Sequence, residues 1–467
     1  MKDLSQVHIS NYPDLPSNMY AYLRNDVMLQ VTPSDGFIFQ VDKKFLRRVS
    51  KETSEILACL TGKKRLKKVI DNFINETHSG DLEICKAIIM LAELIKDGLV
   101  LLDKEPKDIV PKVIGDRSIY YPIHMQVELT ANCNLQCYYC YRNSDYDHKE
   151  NRLNTENLIA ILHSLANKGL CSIELTGGEP LLHPDFLKII NFCGEQFSLI
   201  GLLTNGTLIT DSLVNDLLPI RDKIIISISL DSHISSVHDK RRGLEGAFKR
   251  TINGIRLVAE KGFITRVSMA VDQQNFEHIE STLLLARKLG ATMFTYTPIL
   301  PLGRGVETFK FWADQSSNII KIDKYLREKY HNFVQLTSEA SLVEAQQPGG
   351  CGAGHRTYAM SPMGLVRPCV TFDENQALFG SLATQDFLPI FGKELSKAFA
   401  DIEPPNIKIC NKCTFVYFCL YCNRRGFLAM RWIGEDNCYW LNQPRMLKWR
   451  NLMISIAKIE RRINNNE

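Results

Sequence analysis

The fold class this sequence predicts is α/β, a partial (β/α)6 barrel of TIM type between a winged-helix-like module and a cysteine-rich module. Three observations predict it. Strand-like apolar runs at His124–Thr130, Ser172–Leu175, Leu199–Thr204, Ile224–Leu230, Thr265–Val271 and Thr292–Tyr296 alternate with amphipathic helical patterns such as Thr155–Lys168, Ala247–Lys261 and Phe276–Leu289. Alternation of this kind rolls a parallel sheet inside a layer of helices. Residues 17–103 carry a hairpin pattern, three helical patterns and a short closing strand, whereas residues 351–440 show little periodicity, many turn residues and seven cysteines.

Composition bounds the rest. A chain of 467 residues with 45% hydrophobic and 23% charged side chains holds two to four domains at roughly 100–200 residues each. The 22 Phe, 16 Tyr and 4 Trp supply ample apolar area for folding. A net charge of +4, from 56 basic against 52 acidic residues, generates no strong field, so nucleic acid is not an expected partner. The N-terminus has no apolar signal region and no stretch is long enough to span a bilayer. The expectation is a cytoplasmic protein without a membrane span.

In the first module, Val27–Thr32 and Gly36–Val41 read as a hairpin joined by Pro33-Ser34-Asp35-Gly36. The clearest helix is Asp81–Asp97, with Leu82, Cys85, Ile88, Ile89, Ala92 and Ile95 on one expected face, followed by a strand from Gly98. Basic pairs and runs (Lys43-Lys44, Arg47-Arg48, Lys63–Lys68) suggest DNA, but 15 basic and 14 acidic side chains over residues 17–108 are too even for that footprint. A solvated face or a peptide-gripping strand edge fits better. A polar linker, Asp103–Asp116, leads into the barrel at 120–302. Residues 303–350 read as a helical bridge with no chemical signature, and 441–467 as a C-terminal helix packing through Met446, Trp449, Met453 and Ile454.

The cysteines carry the chemistry. Of 14, Cys59, Cys85, Cys171 and Cys193 are isolated and read as small apolar residues. The others cluster, which in a reducing compartment points to metal and away from disulfides. Cys133, Cys137 and Cys140 follow the first barrel strand as CxxxCxxC. Three thiolates can hold three irons of a [4Fe–4S] cubane and leave the fourth open to an exogenous ligand; a zinc site short of one ligand is the alternative. Thr176-Gly177-Gly178-Glu179-Pro180 follows the second strand, Thr204-Asn205-Gly206 the third, and Ser227-Ile228-Ser229-Leu230-Asp231 the fourth.

With these motifs in order at successive strand ends, the chain resembles the radical S-adenosylmethionine (SAM) superfamily. The resemblance implies that Cys133, Cys137 and Cys140 bind the catalytic cluster and that Gly177, Gly178 and Glu179 hold the SAM amino group. It further implies that Asn205, Ser229 and Asp231 contact the SAM ribose and carboxylate, and that Tyr139 packs beside the adenine. Arg242, in Lys240-Arg241-Arg242-Gly243, is the candidate partner for the SAM carboxylate, since a guanidinium matches that group bidentately. The implied chemistry is reductive cleavage of SAM to a 5′-deoxyadenosyl radical that abstracts hydrogen from substrate, with a flavodoxin- or ferredoxin-type reductant.

Cys351 is followed by Gly364 and Cys369, then by Cys410-x2-Cys413-x5-Cys419-x2-Cys422 and Cys438. This block resembles a SPASM domain, which implies two auxiliary [4Fe–4S] clusters, three clusters in all. By the family's crossed pattern, Cys410, Cys413, Cys419 and Cys438 hold one, and Cys351, Cys369 and Cys422 the other; a zinc ribbon is the alternative for this block alone. Seven cysteines against the eight that two cubanes take leave one iron available to a substrate thiolate, a water or another ligand. Residues 17–103 resemble the PqqD-like element that binds the leader of a precursor peptide by strand addition. Taken together, the chain resembles the sactisynthases, which join a cysteine sulfur to an α-carbon of a core peptide. Sulfatase-maturing relatives carry an acidic base after the cysteine matching Cys369, where this chain has Val370. Thioethers to β- or γ-carbons, carbon–carbon crosslinks and epimerisation stay open as alternatives. So does a non-enzymatic iron–sulfur winged-helix redox regulator, which has no use for a SAM pocket.

Overall fold

The computed structural model of the chain describes residues 15–16, 18–41, 45–145, 152–334, 352–373 and 377–456, without side chains at 307–317, 319–320 and 445. The chain divides into two compact units: residues up to Ile123 with Leu162–Cys171 and Gln196–Ser198, and the remainder.

The first unit has two small sheets. Strands β1 (Tyr20–Leu23), β2 (Met28–Val31), β3 (Asp35–Gln40), β4 (Phe45–Ser50), β5 (Thr61–Arg65), β6 (Val100–Asp103) and β7 (Lys112–Gly115) form the orders β5-β1-β6 and β4-β3-β2-β7. The expected hairpin is β2–β3, in register Met28 with Phe39 and Val31 with Gly36. A third antiparallel strand, β4, continues it. Its Phe-Leu-Arg-Arg-Val-Ser sequence reads locally as a basic run, but Arg48 pairs with Asp35 at 2.8 Å and Arg47 with Asp97 at 2.7 Å. Both cations are thus engaged with acidic neighbours of the same unit. The stretch expected as linker also contributes β7, parallel to β2.

Three helices cover these sheets. Helix Lys51–Ala58 starts where Ser50 accepts from the Thr53 N–H, a standard N-cap. Helix Asp81–Lys96 buries Ile84, Ala87, Ile88, Leu91 and Leu94, while Leu82 and Ile89 are each half exposed. The expected face is therefore rotated: the helix is apolar around most of its circumference, so periodicity alone does not choose the stripe that meets the core. Of the isolated cysteines, Cys171 and Cys193 are buried, Cys85 is intermediate and Cys59 is exposed. The apolar reading thus fails at Cys59, which sits at the C-cap of the first helix.

The second unit is built on one nine-stranded sheet. Strands β8 (His124–Thr130), β9 (Ser172–Gly177), β10 (Leu199–Thr204), β11 (Ile224–Ser229), β12 (Ile264–Val271) and β13 (Met293–Pro298) lie parallel in sequential order. Strands β10 and β12 alternate strictly between buried and half-buried residues. Ile200 and Leu202 or Val267 and Met269 face the packed side, and Gly201, Arg266 and Ser268 the open one. Strand β8 is not an edge. Strand β14 (Thr357–Met360) pairs parallel to it, and β15 (Leu365–Arg367) and β16 (Gly380–Ser381) follow antiparallel. The cysteine-rich block thus begins as an extension of the barrel sheet, which its short strands do not advertise in sequence.

In the stretch expected as a bridge, a 3-10 turn at Gly303–Thr308 and helix Phe309–Tyr330 follow β13. Met446, Trp449, Met453 and Ile454 are buried as expected; the expected helix beyond residue 456 lies outside the described residues. Among the described residues, no helix is long and apolar enough to cross a membrane.

Candidate functional site

The site is assembled at the C-terminal ends of β8–β12, where such folds place chemistry. The loop after β8 carries Cys133, Cys137 and Cys140, all free thiols. Its N-terminal part is laced to the turn after β9: Gly178 N donates to Thr130 O at 2.7 Å and Glu179 N to Asn132 O at 2.8 Å. A Cβ on Gly178 would stand 2.1 Å from Asn132 O, and one on Gly177, at φ 131°, 2.3 Å from Thr130 O. Glycine is required here because two backbones meet. The structural reason is contact with the cysteine loop, before any ligand is considered.

Glu179 is buried. Its carboxylate accepts from Asn205 N at 2.8 Å, Thr204 Oγ1 at 2.7 Å and Leu181 N at 3.2 Å. Burial pushes its carboxyl up to about 7, against the pull of those three donors. Asn205 Nδ2 donates to Asn134 Oδ1 at 2.9 Å, and Asn134 Nδ2 to Thr207 Oγ1 at 2.8 Å. The strand ends of β9 and β10 are thereby tied to the residue after Cys133. Ser229 is half-buried at the end of β11, paired with Ser268 of β12.

Two arginines form the other wall. Helix Ser235–Arg242 ends at Gly243, φ 68°. Loop N–H groups occupy the carbonyls at that end: Gln136 N donates to Arg242 O at 3.1 Å and Tyr138 N to Arg241 O at 3.4 Å. These are carbonyls that a helix C-terminus leaves unpaired. Arg242 pairs with Asp231 through Nε at 2.9 Å and Nη2 at 3.0 Å, and its Nη1 reaches Cys137 Sγ at 3.8 Å. Burial pushes the Asp231 carboxyl up, but Arg242 and Arg241 outweigh it and hold the group below the usual range. Tyr139 donates its hydroxyl to Asp231, and its ring lies 5.2 Å from the Arg241 guanidinium and 5.6 Å from that of Arg242.

Arg241 itself is fully buried. It pairs with Asp272 at 2.6 Å and donates to Ala270 O at 2.9 Å, while Tyr138 also donates to Asp272. Arg241, Asp272 and Tyr138 are absent from the residues that motif reading singles out. The doubled Arg241-Arg242 is their only sequence signal, because Asp272 lies on a different strand end.

Deeper in the sheet, Glu128 of β8 accepts from Arg142 and Arg367. This fully buried carboxylate joins the cysteine loop to β15, two residues before Cys369. Val370 N donates to Gln126 Oε1 at 3.4 Å, and Gln126 Nε2 to Glu174 Oε1 at 2.9 Å.

In the cysteine-rich block, the thiols act on one another, and Cys422 acts on both Cys419 and Cys369. Burial raises Cys410 to about 11 and Cys419 far above its ordinary value; the other groups that raise them include Cys413 and, in both cases, Cys438. Cys369 is also raised by burial, and Cys422 adds to it while Arg424 opposes. Arg424 is buried, stacked 4.8 Å over the Phe372 ring and donating through Nε to Thr371 O at 2.8 Å. Cys351 lies outside the described residues.

The donor chemistry fits iron–sulfur centres. Burial raises Cys133 to about 12 and also raises Cys137, so a metal must displace the proton. Among the described residues, no three His, Cys, Asp or Glu side chains converge as around a single ion. A cubane, whose cysteines each take a different iron corner, sets its sulfurs wider apart.

Comparison with known proteins identifies the class. The profile of the radical SAM superfamily matches residues 127–286, and that of the SPASM iron–sulfur cluster-binding domain residues 351–414. The chain is a radical SAM enzyme with a SPASM domain. The first domain binds SAM and a [4Fe–4S] cluster, and the second binds auxiliary iron–sulfur clusters. Among individual proteins, it is 29% identical over 338 residues to the antilisterial bacteriocin subtilosin biosynthesis protein AlbA of Bacillus subtilis, covering 71% of this chain and 74% of that one. It is 28% identical over 307 residues to the sporulation killing factor maturation protein SkfB of the same organism, covering 64% and 69%. The fold matches Streptococcus suis SuiB bound to its precursor peptide SuiA at a TM-score of 0.59 and 15% identity, over 91% of this chain and 100% of that one.

Proposed function

We propose that this enzyme matures a ribosomally made precursor peptide by forming intramolecular thioethers between cysteine sulfur and the α-carbon of an acceptor residue. The observation that carries this reading is the similarity to a bacteriocin biosynthesis protein and a killing factor maturation protein, at 29% and 28% identity, joined to a barrel whose strand ends present the cysteine loop. Bound together there, SAM and a [4Fe–4S] cluster would supply hydrogen-abstracting radical chemistry. Cys133, Cys137 and Cys140 would hold that cluster. Glu179, with Gly177 and Gly178, would receive the SAM amino group, while Asn205, Ser229, Asp231 and Tyr139 would frame the rest of the molecule.

Arg242 would offer the SAM carboxylate whichever of its donors turns from Asp231 and Cys137. Cys410, Cys413, Cys419 and Cys438 would hold one auxiliary cluster, and Cys369 and Cys422 with Cys351 the other. Val370, following Cys369, offers no carboxylate for a general base. A metal-bound sulfur needs none, because it is already deprotonated.

Residues 17–103 would serve leader recognition. Strand β4 ends the order β4-β3-β2-β7, and an edge strand offers unpaired backbone groups to an extended peptide. A flavodoxin- or ferredoxin-type protein would supply the electron. The test is anaerobic co-expression with a candidate precursor peptide. Loss of two hydrogens per crosslink, with the cysteines no longer open to alkylation, supports thioether formation; the same loss with every thiol still alkylatable overturns it in favour of carbon–carbon bonds.

A further inference from the structure

Beyond the last barrel strand, the turn Gly303-Arg304-Gly305 reaches back to the cysteine loop. Arg304 donates three times to it: its backbone N–H to Cys140 O at 3.0 Å, Nε to Cys137 O at 2.7 Å and Nη2 to Ser144 O at 2.9 Å. One residue therefore occupies the carbonyls of both cysteines of the CxxC half of the motif and that of Ser144 beyond it. The flanking glycines permit the approach. Gly303 has φ 53°, and a Cβ there would stand 2.3 Å from Cys140 O and 2.6 Å from Tyr141 O; a Cβ on Gly305 would stand 3.3 Å from Tyr139 O.

The geometry complements the helix end on the other side. There, Arg241 and Arg242 carbonyls take loop N–H groups, Gln136 N and Tyr138 N. Here, a guanidinium takes loop carbonyls. The segment between Gln136 and Ser144 contains no helix or strand, so its backbone groups need such partners to hold one shape.

We propose that Arg304 is a positioning residue for the catalytic cluster, clamping the Cys137–Ser144 backbone so that Cys137 and Cys140 keep a fixed spacing and orientation. The proposal rests on reading Cys133, Cys137 and Cys140 as the cluster ligands. A planar fork is needed, because two of the accepting carbonyls belong to residues seven apart and are reached by different nitrogens of one side chain. Lysine presents a single point donor and can serve only part of that set.

The experiment uses the full chain, reconstituted anaerobically, as wild type, Arg304→Met, Arg304→Lys and the triple variant Cys133→Ala/Cys137→Ala/Cys140→Ala. Iron lost in the triple variant defines the catalytic cluster. In Arg304→Met, that fraction should leave to a ferrous chelator at least about tenfold faster than in wild type, since the variant loses two hydrogen bonds from a charged donor. The remaining iron should leave at the wild-type rate. The low-temperature EPR signal of the reduced cluster should lose its SAM-induced shift, and Arg304→Lys should fall between the two. Should Arg304→Met not fold, the intermediate rate of Arg304→Lys carries the test. Wild-type chelation kinetics and an unchanged EPR response to SAM in either variant overturn the proposal. A triple variant that keeps the full iron content instead overturns the ligand reading beneath it.

Discussion

The two cysteine-bearing regions of the second unit are held in different ways. The loop after β8 is fixed by polar contacts that include two strand ends and a helix terminus: Asn205 through Asn134, Asp272 through Tyr138, and Arg241 and Arg242 through their carbonyls. The block from Cys410 to Cys438 has short helices (Ile407–Cys410, Val416–Cys419) and one longer one, Asn423–Ile433. Its packing is aromatic, with Phe427 against Trp440 at 5.2 Å and Phe418 against Trp432 at 6.3 Å. The difference predicts that the catalytic loop keeps its shape without iron, whereas the auxiliary block, built on short helices, depends on the metal for much of its order.

Removing iron is the largest perturbation of that contrast. In the chelated full chain, hydrogen-exchange protection over residues 407–441 should fall about a hundredfold or more, while β8–β13 change by less than about tenfold. Equal losses in both regions would erase the distinction. Next in size is the charge network behind the catalytic loop. Asp231→Ala leaves Arg242 and Arg241 buried without that carboxylate, and denaturant unfolding should register a loss of about 3–5 kcal/mol. Asp231→Asn, which keeps a hydrogen-bond acceptor, should cost less; a cost below about 1 kcal/mol for the alanine variant would show that the network does not shape the loop.

Glu179 gives a smaller and pH-dependent effect. Its carboxyl sits at about 7 through burial, and an N–H donor on a ligand favours the ionised form. SAM affinity should therefore be greatest above about pH 7 and fall as pH drops below it, by up to about tenfold per unit. Glu179→Gln should bind SAM about tenfold more weakly at pH 8, the loss of a charge-assisted bond, and should flatten the profile. Equilibrium dialysis at pH 6, 7 and 8 separates these outcomes. The smallest effect belongs outside both regions: Lys63→Ala breaks an exposed pair with Asp108, 2.8 Å long, and should change unfolding free energy by less than about 1 kcal/mol.

Much of this was legible in the residues. The order CxxxCxxC, Gly177-Gly178-Glu179, Asn205, Asp231 along successive strands carries the class, because each motif must sit at a strand end whatever the helices between them do. What stayed hidden has physical reasons. The buried face of helix Asp81–Lys96 is ambiguous when Leu82, Ile88, Ile89 and Leu91 are all apolar. Strand β4 is masked by Arg47 and Arg48, whose partners Glu93, Asp97 and Asp35 lie on other elements. Arg304 gives no local signal at all, since its work is done on main-chain carbonyls more than 150 residues earlier, and backbone acceptors have no residue type to read.

The α-carbon is the centre of the functional account, and isotope transfer tests it most directly. The reconstituted enzyme would be given precursor peptide in which the acceptor residue carries deuterium only at the α-carbon, and the 5′-deoxyadenosine produced would be weighed. Deuterium appearing in 5′-deoxyadenosine, together with a thioether in the peptide, is the predicted result. Unlabelled 5′-deoxyadenosine from that peptide, with label transferred instead from a β-deuterated one, would contradict it and move the bond to the side chain.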